Sequence, residues 1–107
     1  MAGLENIKLN FDDGIVVRNL DDVIKWYFTV VVRLAPMCLN EGVFSVFIAH
    51  AYNLAVILNR KLGRQIFEED FGAFILSFYD DKDEVSPKKV ADFVFQVSEI
   101  ISQIGIE

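Results

Sequence analysis

Residues 42–62, GVFSVFIAHAYNLAVILNRKL, decide how this chain folds. The polar positions keep to one narrow line: Glu41 just ahead of the run, then Ser45, Asn53 and Arg60, with Ala49 and Val56 filling the four-residue steps between them. Val43, Phe44, Val46, Phe47, Ile48, Tyr52, Leu54, Ile57 and Leu58 take almost all of the remaining circumference. A helix that is apolar on most sides must be covered on most sides, so the pattern predicts a central helix with others packed around it. Asn40 and Glu41 suit its start. Arg60 and Lys61 suit the negative end of its dipole, and Gly63 suits the left-handed position that closes it.

Working outward, Asn19 is placed to cap a preceding helix, with Asp21 and Asp22 in its first turn. Leu20, Val23, Ile24, Tyr27, Val31 and Leu34 then recur at steps of three and four. Residues 26–32 (WYFTVVV) are also aromatic and β-branched, and by propensity alone would form a strand. The spacing predicts a helix, ended by Pro36 because the residue before a proline is pushed out of the α region. Further upstream, NIKLNF (6–11) alternates polar and apolar residues, DDG (12–14) offers a tight turn, and IVV (15–17) follows, which predicts a β-hairpin.

Beyond the central helix, Phe67, Phe71, Phe74, Ile75 and Phe78 form a stripe at helical spacing that starts near Glu68, Glu69 and Asp70 and contains Gly72. Residues 80–84 (DDKDE) read as a solvated loop. Ser86-Pro87 then opens a last helix with Val90, Phe93, Val97, Ile101 and Ile104 on its inner face. Gly105 stops it, with Ile106 folding back over the end. The expected architecture is therefore mainly α: one domain over residues 1–107, with a β-hairpin arm at 1–18 and a body at 19–107. That body holds about four amphipathic helices around a central apolar one.

Composition narrows the function. Of 107 residues 53% are hydrophobic and ten are Phe, yet 24% are charged and the net charge is −6. The acidic balance argues against a sequence-independent hold on nucleic-acid phosphates. One cysteine and one histidine exclude a disulfide framework and a closed zinc site within one chain. The uncharged run 43–58 falls short of the ~20 residues that span a bilayer. With an unpaired cysteine and no export signal in the sequence, the expected compartment is the cytoplasm.

The chemistry-bearing residues have structural explanations. Cys38 and His50 are the one Cys–His combination, and no local motif joins them. Residues 80–84 break the ligand order of an EF-hand loop, and no phosphate-binding glycine motif exists. Arg60, Lys61 and Arg64 read as helix-end electrostatics. No catalytic, cofactor-binding or metal-binding residue is assigned.

What remains is surplus apolar area. The expected function is a non-enzymatic protein-interaction module of the adaptor, assembly-chaperone or inhibitor kind, pairing with itself as a homodimer or with a partner protein. Its contacts would come from Trp26, Phe28, Phe44, Phe47 and Phe95. One alternative is an acidic immunity or anti-defence protein that blocks a basic nucleic-acid-binding cleft with Glu68, Glu69, Asp70, Asp80, Asp81, Asp83 and Glu84. Another is a small-molecule pocket among the phenylalanines, with His50 or Cys38 in a chemical role.

Overall fold

The computed structural model describes residues 20–105, and these form a small helical bundle. The hairpin expected over 1–18, the Asn19 cap and the Ile106 fold-back all lie outside the described residues. Among the described residues there is no strand, only an isolated bridge between Tyr79 and Val85. The expectation of a mainly α fold that carries a β-hairpin is thus corrected: among the described residues the bundle is built from helices alone.

Helix α1 (Leu20–Leu34) settles the ambiguity of residues 26–32 in favour of helix. Val23, Ile24, Tyr27 and Val31 are its buried residues, so burial of one face overrides the β-branched propensity. A 3-10 turn at Ala35–Met37, with Pro36 inside it, breaks the chain direction. The central helix α2 (Glu41–Leu62) follows. Asn40 Oδ1 accepts the Val43 amide at 3.1 Å, and Gly63 closes the helix at φ +71°, a conformation costly for any residue with a Cβ. The exposed positions of α2 include Glu41, Ser45, Ala49, Asn53 and Arg60, the line read from the sequence. Lys61 meets Asp21 at 3.0 Å and ties the end of α2 to the start of α1.

The aromatic stripe does not make one long helix. Helix α3 is only Phe71–Leu76, capped by Asp70, whose carboxylate accepts the Ala73 amide at 2.9 Å. Phe67 lies in the link before it, and Phe78 lies in tight turns after it, where the Phe78 and Tyr79 amides reach back to Ile75 and Leu76. Two side chains of α2, seven residues apart on one edge, hold that link. Asn59 Oδ1 accepts the Ile66 and Phe67 amides at 2.7 and 2.9 Å, while its Nδ2 donates to the Phe67 carbonyl and the Glu69 carboxylate. The Tyr52 hydroxyl donates to the Glu69 carbonyl. Finally, Ser86 caps α4 (Pro87–Gln103), which buries Val90, Phe93, Val97, Ile100 and Ile101.

The core between α2, α3 and α4 is a cluster of phenylalanines. Phe93 is its hub, in edge-to-face contact with Phe47, Phe67, Phe74 and Phe78 at centroid distances of 5.4–6.4 Å. This is the geometry the ring quadrupole favours. Six of the ten phenylalanines are absorbed here: 44, 47, 67, 74, 78 and 93.

Candidate functional site

Part of the apolar surface left over lines a groove on the opposite side of α4, while Met37, Val46, Phe71 and Leu76 are exposed elsewhere. Phe28 and Val32 of α1 and Ala35 of the 3-10 turn face Val90, Ala91, Val94 and Phe95 of α4 across an open groove of about 680 Å³. Pro36, Cys38 and Leu39 of the link close one end. The rim carries three large apolar side chains that water reaches: Leu39 is 72% exposed, Phe95 65% and Val32 41%. The groove forms because Pro36 and the 3-10 turn swing the chain away from α1 before α2 begins, leaving the last turn of α1 and the outer face of α4 with nothing packed between them.

The five aromatic residues singled out from the sequence separate cleanly. Phe28 and Phe95 line the groove. Phe44 and Phe47 do not reach the surface: both are buried, Phe47 completely, and they belong to the phenylalanine core. Their place among the expected contacts is corrected, because the central helix is covered by its own neighbours on the side that carries them. Trp26 is half-buried and packs against Tyr27 and His50, with ring centroids 5.2 and 5.5 Å away. Sequence reasoning missed Val32 and Leu39. The signal for Val32 was present, since it stands one turn beyond Phe28 on the same helical line. Leu39, in the link after a proline, had none.

Few polar groups converge on the groove. The Cys38 thiol, on its wall, donates to the Leu34 carbonyl at 3.4 Å, and burial pushes its pKa up to about 11. A buried neutral thiol is a poor nucleophile. His50 engages other groups: its Nδ1–H donates to the Val46 carbonyl at 2.8 Å, a bond that requires the proton on that nitrogen because a carbonyl only accepts. Cys38 and His50 thus each bond a carbonyl one turn back in their own segment, and no hydrogen bond joins the two side chains. Burial also raises the pKa of the Tyr27 phenol.

The carboxylates of the acidic alternative are held by their own backbone. Glu68 accepts the Glu69 and Asp70 amides, Asp70 caps α3, and Glu69 receives the Asn59 amide. Asp80 accepts the Lys82 and Glu84 amides and organises the 80–84 turn, in which Asp83 takes φ +58°. Asp81, Asp83 and Glu84 stay exposed. Among the described residues no three potential metal ligands come together.

Helix α2 is longer than the uncharged run inside it. At 22 residues, with a mean hydropathy of 1.5 over its best window, it is long and apolar enough to cross a membrane by length and composition. In the fold it is the central helix, its apolar sides in contact with α1 and the phenylalanine cluster. Comparison of the chain with known protein families, curated proteins and solved structures finds no match.

Proposed function

We propose that this chain is a non-enzymatic protein-interaction module whose working surface is the groove between α1 and α4, shaped to take an apolar helix from a polypeptide. One observation carries the reading: Phe95 and Leu39, two of the most exposed apolar side chains, stand at the rim of a groove walled by Phe28, Val32 and Val94. Exposed apolar side chains that stand singly are ordinary, whereas a contiguous patch around a concavity marks a contact surface. Aromatic and aliphatic anchors of this kind supply most of the energy in protein interfaces. A small-molecule site would add a few precisely aimed polar groups. Here the wall offers only the Ser98 hydroxyl and a thiol already engaged by Leu34. Adaptor, assembly-chaperone and inhibitor roles all use such a surface.

A benzophenone-bearing phenylalanine placed at position 95 of the full chain tests this. The expected result is a covalent adduct of protein mass, lost when Val32→Asp is introduced into the groove and not formed from a probe at Asp81. An adduct of small-molecule mass, or none from position 95, overturns the reading.

A further inference from the structure

We infer that the occupant of the groove is an amphipathic helix of another protein whose apolar face, about two turns long, is followed by lysine or arginine at the end that lies beside Leu39. The inference rests on the interaction reading above and adds the chemistry of the partner. Its basis is a second hollow that adjoins the groove. Cys38, Leu39 and Val85 stand in the walls of both. Beyond that shared wall the lining changes character: Glu41 from the first turn of α2 and Asp83 and Glu84 from the 80–84 turn gather around a space of about 610 Å³.

The shared wall also sets the direction of the groove. Val85 lies just before α4, so α4 begins beside the link that follows α1, and the two helices run in opposite senses along the groove. Phe28 and Ser98 then mark its far end. Val90 to Ser98 covers about 12 Å at the rise of an α-helix, room for about two turns of a docked helix. Apolar side chains at i, i+4 and i+7 of such a helix meet the groove walls and the anchors Phe95 and Leu39. A lysine or arginine in the next turn reaches past Leu39 into the acidic hollow on its long apolar stem.

Charge decides what that turn carries. The carboxylates of Glu41, Asp83 and Glu84 meet no cation among the described residues, and no basic residue lines the hollow. The basic residues near it in sequence are placed elsewhere. Lys82 stands outside the lining, and Lys88 pairs with Asp92 at 2.9 Å. Lys89 donates to the Tyr79 carbonyl at 2.7 Å and lines a different hollow with Phe67 and Phe78. Glu41 and the 80–84 turn together hold five carboxylates against the one ammonium of Lys82. The far end of the groove lacks this bias, since Lys25, one turn before Phe28, and Glu99, next to Ser98, have opposite signs. A helix with a cationic end is therefore drawn into one orientation along the groove, and one with an acidic end is repelled.

A displayed library of helical peptides of about 16 residues, selected on the immobilised full chain, tests this. The enriched peptides should carry apolar residues at i, i+4 and i+7, with lysine or arginine gathered at one end. Val32→Asp and Phe95→Asp should each abolish their binding with an unchanged helical circular-dichroism signal. Glu41→Gln combined with Glu84→Gln should weaken it about tenfold, while a peptide whose basic residues are replaced by glutamine should bind the parent and that variant alike. Groove-dependent peptides without a basic end, or indifferent to the two glutamine changes, overturn the inference and leave the interaction module standing. So does an adduct of twice the chain mass from the photoprobe at position 95. A selection that yields no peptide released by Val32→Asp or Phe95→Asp overturns both readings, as does a photoprobe adduct confined to residues 1–19 of the same chain.

Discussion

Asn59 shows what a single buried polar side chain does in this bundle. Its amide satisfies two backbone N–H groups and one carbonyl of the link into α3, so replacing it by Leu leaves those groups buried without partners. We expect Asn59→Leu to lower stability by about 2–4 kcal/mol in urea unfolding, the range for several unsatisfied buried groups. Sequence reading passed over this residue because it counted polar positions along one stripe. The usable signal was different: Asn59 and Tyr52 are two hydrogen-bonding residues seven apart on an edge otherwise made of Ile48 and Ala55. Cys38 and Tyr27 give a second residue-scale expectation. Both acids have raised pKa values in the fold, Cys38 from 9.0 to about 11. The folded state therefore holds their protons where the unfolded chain releases them. The Cys38 contribution to stability is complete below pH 9 and is lost as pH rises toward 11, and that of Tyr27 begins to be lost only as pH passes 10. Urea midpoints should fall across that window, and less steeply in Cys38→Ala.

Elements whose ends carry chemical punctuation were legible from sequence. Asn40 and Gly63 bracket α2, Ser86-Pro87 opens α4, and Pro36 ends α1, because each residue satisfies or removes a specific backbone group. Helix α3 was not. Phe67, Phe71, Phe74 and Phe78 keep helical spacing, but the same spacing also suits one short helix between two links that curl over a common core, and Asn59 captures the Phe67 backbone for the second arrangement. The groove was half legible: Phe28 and Phe95 were readable as residues off the main stripes, while the burial of Phe44 and Phe47 depended on how α2 is surrounded. The two groups should behave oppositely when truncated. Phe47→Ala opens a cavity in the core and should cost about 3–5 kcal/mol. Phe95→Ala, in dilute solution where copies are separate, should stay within about 0.5 kcal/mol of the parent by thermal or urea unfolding.

At the scale of the whole molecule, the net charge of −6 sets the sign of a salt effect. Two such chains repel at long range, and raising ionic strength from about 0.01 to 0.1 M shortens the screening length from about 30 to 10 Å. Any pairing of two copies through the apolar groove should therefore tighten with added salt. An acidic surface docking on a basic cleft would weaken instead, so binding that falls with salt points toward the exposed carboxylates. The residues that decide this, near Asp81 and Glu84, were visible as a charge run, but their use as a turn depended on Asp80 gathering two amides.

Trp26 and His50 are the sole indole and sole imidazole of the chain, and their rings lie 5.5 Å apart, tilted at 47° to each other. Indole emission responds to what packs against the ring, so this contact between two helices carries its own optical signal. Because α1 supplies the indole and α2 the imidazole against it, the emission of Trp26 should change when those two helices separate, and a steady-state fluorimeter can follow their parting without any attached dye.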